Sequence, residues 1–222
     1  MRHAVPGLVV LAVLFHKVMT QAISKLVLAS VLLGSCTSTG TKKAVEKAPA
    51  APPQAVSGLT GLYRCLGPAR TWSPDVQILR VQSVALDSLK AEPGKAGVWR
   101  VTFASAAKAR LKNYTYSVIE GEGFHEGVFP AGEESWSGTS KILKPFVIQA
   151  VKKDTDEILK VAKENSKEYT HKNPDSPITM LLEWTDRTPT PAWRVIWGTS
   201  VSNSAYSVFI DPTNGTYLSK AF

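Results

Sequence analysis

Cysteine is scarce: the 222 residues hold two, Cys36 and Cys65. A disulfide framework or a thiolate metal cluster needs more than that, and no second cysteine lies near either one to make a redox pair. Long apolar runs are missing as well. Leu8 to Phe15 and Leu26 to Leu33 are separated by His16, Lys17 and Lys25, so neither reaches the roughly 20 residues that span a bilayer. Of four histidines, only His125 and His171 fall beyond the first 35 residues. No Gly-x-Ser-x-Gly elbow, His-Glu-x-x-His helix, Walker loop or Gly-x-Gly-x-x-Gly turn occurs, which removes the common signatures of hydrolase, zinc-peptidase and nucleotide chemistry.

What is present begins with Leu33-Gly34-Ser35-Cys36, closing the second apolar run. This tetrad resembles the lipobox at which bacterial lipoprotein precursors are cut and lipidated. The resemblance implies a diacylglycerol thioether on Cys36, acyl chains such as palmitate, and the lipid bilayer as first partner. Residues 1–35 then read as a signal peptide. A start at Met19 gives the compact layout of one: a basic head ending in Lys25, the Leu26–Leu33 run, and the lipobox. Residues 36–57 read as the lipidated cysteine and a disordered tether rich in Ala, Pro, Thr, Ser and Lys, with too little apolar surface to offset chain entropy. Thr37 is not the aspartate associated with inner-membrane retention. The expected location is therefore the cell envelope, on the outer membrane facing the periplasm where the cell has one.

Basic charge is concentrated in that front portion. Setting aside Arg2, Lys17, Lys25, Lys42, Lys43 and Lys47 together with Glu46, the formal +8 of the chain falls to +3 for the remainder. A nucleic-acid partner, which calls for a basic stripe on the folded part, is not expected.

The remaining residues show an internal order used twice. Pro74-Asp75 precedes Val76–Leu86, then Val98–Phe103, then Tyr114–Ile119; Pro174-Asp175 precedes Ile178–Trp184, then Trp193–Trp197, then Tyr206–Ile210. Trp-Arg-Val and Tyr-Ser-Val each occur in both halves, in the same sequence. Each stretch is short, rich in β-branched and aromatic residues and bounded by turn formers, the pattern of strands. The duplication predicts equivalent strands joined by loops of different length. Asp211-Pro212-Thr213-Asn214-Gly215 adds a tight reversal before Tyr217-Leu218. A helix is expected over Asp154–Tyr169, with Asp154 and Glu157 as a capping box. Its counterpart falls near Val56–Leu66, where Gly58 and Gly61 weaken helical propensity.

The second half resembles the PepSY domain, a small α+β module ending in a Tyr-x-Val-x-x-Asp, turn, Gly hairpin. Here Tyr206, Val208, Asp211 and Gly215 carry that likeness, with Trp193-Arg194-Val195 as the preceding strand. The match covers Asp154 to Lys220 directly and Val56 to Glu120 through the repeat. The fold class expected is therefore α+β, a duplicated helix plus antiparallel three- to four-stranded sheet, with residues 58–144 as a degenerate first repeat and 145–222 as the second. The family implies binding or inhibition of a peptidase, or ligand sensing, without chemistry, cofactor or metal. A protein or peptide partner in the envelope follows. The alternative is an assembly lipoprotein that docks on another envelope protein through a sheet edge.

Strand periodicity assigns Trp99, Trp184, Trp193, Trp197, Tyr114 and Tyr206 mainly to the core. Trp72 and Trp136, in loop-like surroundings, and Arg100 and Arg194, on the outward side of equivalent strands, are the candidate ligand or partner contacts. Cys65 reads as a core residue. The best enzyme case is His125 with Glu126 or Glu133 and Ser135 or Ser137; the best metal case is His125, Glu122 and Glu126.

Overall fold

Ser57 accepts a hydrogen bond from the Thr60 amide and so serves as the N-cap of helix α1 (Gly58–Trp72). The computed structural model describes residues 52–140 and 142–221. Cys36, the leader with its alternative start at Met19, and the tether up to residue 51 lie outside the described residues. No helix among the described residues is long and apolar enough to cross a membrane.

The first half runs β1 (Val56–Ser57), α1, β2 (Gln77–Val84), β3 (Lys95–Ala96), β4 (Val98–Ser105), β5 (Arg110–Ser117) and β6 (Gly127–Ser135). Helix α1 starts later and ends later than its leucine spacing suggests, burying Leu62, Cys65, Leu66 and Ala69 against the sheet. The glycines that argue against it locally are there for packing. A Cβ at Gly61 would stand 2.5 Å from the Trp99 ring, and one at Gly58 would stand 2.5 Å from the Thr155 methyl. Strand β6 has no counterpart in the sequence reading. Its Pro130, Gly132, Glu133 and Glu134 are poor strand formers, and it forms because β5 offers it a ladder, Arg110↔Ser135 to Ser117↔Gly127.

The second half runs through a 3-10 turn (Ile148–Ala150), α2 (Thr155–Glu164), α3 (Lys167–Lys172), β7 (Ile178–Glu183), β8 (Ala192–Gly198), β9 (Ser204–Ile210) and β10 (Tyr217–Lys220). The single helix expected over Asp154–Tyr169 is in fact two. Asn165 ends α2 by returning both its amide and its Nδ2 to the Val161 carbonyl, a side-chain competition typical of asparagine. The capping box is also replaced. Asp154 Oδ1 accepts from Thr155 N at 2.7 Å and from Leu59 N at 3.0 Å, while Glu157 binds Lys153 Nζ at 2.7 Å. Gly58 N donates to Thr155 Oγ1 at 2.8 Å. The N-termini of α1 and α2 thus abut, and the Asp154 carboxylate lies at both positive dipole ends.

One eight-stranded antiparallel sheet, in the order β10-β9-β8-β7-β2-β4-β5-β6, joins the halves. Each half contributes a four-strand meander, and the first strands of the two, β2 and β7, meet at the centre through Arg80↔Glu183, Val81↔Leu182 and Gln82↔Leu181. The Arg80 guanidinium reaches the Glu183 carboxylate at 3.1 Å across this seam. Beneath the helices lie Val81, Val101, Leu182 and Val195, all fully buried, and Trp99 and Trp193 meet edge to face at 6.2 Å. Trp99 Nε1 donates to the Val56 carbonyl at 3.0 Å; Trp193 Nε1, also buried, has no partner among the described residues.

The two Trp-Arg-Val segments occupy equivalent places on β4 and β8. The two Tyr-Ser-Val segments do not. Tyr116 stands opposite Trp99, whereas Tyr206 stands opposite Trp197 and the partner of Trp193 is Ile210. The hairpin loops differ in length, so the same tripeptide falls at different rungs of its ladder.

Candidate functional site

The four contact residues singled out from sequence do not converge. Arg194, Leu181, Gln82 and Arg100 lie on consecutive rungs across one face of the sheet, so the two arginines are three strands, about 14 Å, apart. Arg100 is exposed, its guanidinium 5.3 Å from the Phe124 ring. Arg194 is 4% exposed, donates from Nε to Ser207 Oγ at 3.0 Å and lies over Phe209 at 5.8 Å. It is a buried strand residue and not the surface contact expected. Trp72 sits at the end of α1, on the helix side, with the ammonium groups of Lys112 at 5.5 Å and Lys108 at 5.9 Å. Trp136 follows β6 and is half-buried, its amide bonded to the Ala109 carbonyl.

The hydrolase set is separated by strand geometry. His125 precedes β6 and Ser135 ends it; nine residues of extended chain are on the order of 26 Å long. His125 Nδ1 instead contacts Glu120 Oε1 at 2.8 Å, on an exposed turn. Glu122 is engaged elsewhere, accepting from the amides of Asp87 and Ser88 at 3.0 Å each. Those bonds, with the Ser88 hydroxyl foremost, hold the Glu122 carboxyl below the usual range. The residues named for a metal therefore point to different tasks, and no cluster of three or more metal-ligating side chains forms among the described residues.

What the fold does build is a pair of clefts at matching places in the two halves. In the first, Leu66 and Arg70 of α1 face the Pro74–Ile78 turn, and Ile148 of the segment leading to α2 closes one side, enclosing about 470 Å³. In the second, Leu159 and Lys163 of α2 face the Pro174–Ile178 turn, and Ala55, just before α1, closes the corresponding side, enclosing about 350 Å³. Each half's cleft is thus bounded by the lead-in to the other half's helix. The repeated Pro-Asp was the sequence signal for this element, although its spacing says nothing of a cavity.

The two aspartates have diverged. Asp75 accepts from Ala107 N at 2.9 Å, Ser73 Oγ at 2.6 Å and Ser105 Oγ at 2.7 Å. These bonds, the Ala107 amide first, hold its carboxyl well below the usual carboxylate range and lock the turn to the β4–β5 loop. Asp175 is exposed and takes part in no hydrogen bond or ion pair among the described residues.

The second cleft has an additional wall, the excursion between β2 and β3. Leu86 and Leu89 fold against Gly97, where a Cβ would come within 2.6 Å and 2.8 Å of their methyl groups. Gly94, at φ 72°, lies on the first turn of α2, with Asp156 Cα 2.6 Å from where its Cβ would be. Glu122 fastens the same excursion at Asp87 and Ser88. The wall is held at both ends and in the middle.

No protein-family model matches the chain, and no curated protein matches it. Among solved structures, a candidate lipoprotein from Clostridium difficile 630 aligns with a TM-score of 0.41 and 8% identity, over 72% of this chain and 91% of that one.

Proposed function

We propose that the chain is an envelope lipoprotein, anchored by acyl groups on Cys36, whose folded part is a non-enzymatic binding unit of two PepSY-like repeats. The observation that carries this is the Leu33-Gly34-Ser35-Cys36 tetrad, closing an apolar run and followed by an Ala/Pro-rich segment up to the first strand at Val56. The PepSY likeness rests on the Asp211–Gly215 hairpin. Its turn forms as that pattern implies, with Asp211 Oδ1 accepting from Thr213 N and Asn214 N and Gly215 at φ 78°. Geometry disfavours the one catalytic set the sequence suggested: His125 precedes β6 and Ser135 closes it, so the two are held at opposite ends of the strand.

Docking by strand addition is the less supported route. The long edge strand β6 carries Pro130, a register irregularity opposite Lys112–Tyr114, and Glu133 and Glu134, all devices that discourage pairing. The opposite edge, β10, has only four residues and its own irregularity.

The test is the intact mass of membrane-extracted protein beside a Cys36→Ala variant. A mass corresponding to cleavage before Cys36 plus diacylglyceryl and acyl groups, lost in the variant, supports the proposal. An unmodified chain with its leader retained overturns it.

A further inference from the structure

We propose that the cleft between α2, the Pro174–Ile178 turn and the β2–β3 excursion binds an apolar group that carries a carboxylate head. The inference deepens the binding role above by naming its site and ligand class. The cleft's 350 Å³ lies within the range of small-molecule sites and is roughly a dozen times the volume of a water molecule. Its floor is apolar: Leu86, Leu159 and Met180 are each at most 6% exposed, and Ile178 is partly buried beside them. The wall over it is fastened by Glu122, Gly94 and Gly97 as described, so little ordering remains to be done when a ligand enters.

Charge at the mouth selects the head group. Lys95 is neutralised by Glu92 at 2.7 Å. Lys90 and Lys163 also line the cleft and form no ion pair among the described residues, against one acid outside the Lys95–Glu92 pair, Asp175. The rim therefore carries a net positive charge over an apolar floor. A carboxylate at the rim with an acyl or side-chain group below satisfies both. The equivalent cleft of the first half differs where it matters: its aspartate is bound by two hydroxyls and an amide, and its basic residue is Arg70 alone.

Two sources supply this chemistry, a free short-chain fatty acid and the C-terminus of a peptide ending in an apolar residue. Calorimetric titration of the full chain with octanoate, with N-acetyl-Leu-Phe and with octanol separates them. Binding of octanoate, of the peptide, or of both, with octanol at least tenfold weaker, supports the site and identifies the source. In the Lys90→Glu/Lys163→Glu double variant, octanoate or peptide affinity falls at least tenfold while octanol binding is unchanged; both lysines are at the surface, so folding is spared. Equal binding of octanoate and octanol, no effect of the double reversal, or no heat with either carboxylate at millimolar concentration overturns the proposal. The titration does not depend on lipidation. A failed titration removes only the site, and an intact mass without lipid on Cys36 removes only the anchor.

Discussion

Substituting Gly61 by alanine isolates how closely α1 lies on the sheet. The new Cβ would meet Trp99 Cδ1 and Cγ at 2.5 Å and Cβ at 2.6 Å. These are the root atoms of a fully buried side chain on β4, so no rotation of the ring relieves the contact. Helix α1 must instead rise by about 1 Å to reach ordinary van der Waals distance, which is overpacking of the kind that costs about 1–3 kcal/mol. Rising also stretches the Trp99 Nε1 bond to Val56 O and the Leu59 amide bond to Asp154. Against this, alanine gains about 1 kcal/mol over glycine in a helix interior. The two weakened hydrogen bonds cost about 1 kcal/mol, which offsets the helical gain, so the expected outcome is a net loss of about 1–3 kcal/mol. In urea, with a slope of about 2 kcal/mol/M, the midpoint falls by roughly 0.5–1.5 M at unchanged slope; in thermal unfolding, Tm falls by about 2–4 °C for each kcal/mol lost. Gly132→Ala, on exposed β6 with nothing within 4 Å of the added carbon, is the control and stays within about 0.5 kcal/mol. A Gly61→Ala midpoint equal to or above wild type would refute the packing argument, since propensity alone would then decide the outcome.

Thr155→Val keeps the shape of the residue but leaves the buried Gly58 amide without its acceptor. Unfolding in urea should show a loss of about 1–3 kcal/mol, with Thr155→Ser close to wild type; a neutral valine variant would mean the abutting helix ends contribute nothing. Asp75 has a folded pKa below its unfolded one, so its contribution is complete above the ordinary carboxylate value near 4 and fades as pH falls. The stability difference between wild type and Asp75→Asn should therefore narrow from pH 5 to pH 2, and a constant difference would count against the Ala107, Ser73 and Ser105 bonds. Cys65 is fully buried, and burial pushes its thiol up to about 12. Reaction with Ellman's reagent should be at least ~100-fold slower in native buffer than in urea, and fast native labelling at Cys65 would show that α1 opens readily.

Much of the fold is legible in the chain because strands bury alternate residues. Trp193, Val195 and Trp197 announce β8, Trp99, Val101 and Phe103 announce β4, and Asp211 to Gly215 announce the last hairpin, each by local chemistry. The assignment of most aromatics to the core follows from the same alternation, and Trp99, Trp193, Trp197 and Tyr114 are all at most 2% exposed. Strand β6 was illegible because its Pro, Gly and Glu residues have no strand preference of their own and are held by a neighbour. The break in the Asp154–Tyr169 helix was illegible because Asn165 and Ser166 do not interrupt the apolar spacing. For the site, alternation correctly put Arg194 on the outward face but could not show that this part of the face is buried, nor that Arg100 and Arg194 stand three strands apart.

The sequence by itself determined the α+β class, the twofold use of helix and meander, and most of the core, because these depend on the period of apolar residues and on turn chemistry within a few positions. Tertiary structure alone decided that β2 and β7 pair to make one sheet, that the helix N-termini share Asp154, and that each Pro-Asp turn faces a cleft bounded by the other half. These are contacts between residues about 100 positions apart, and nothing in a local pattern records which distant partner an amide or a strand edge will find.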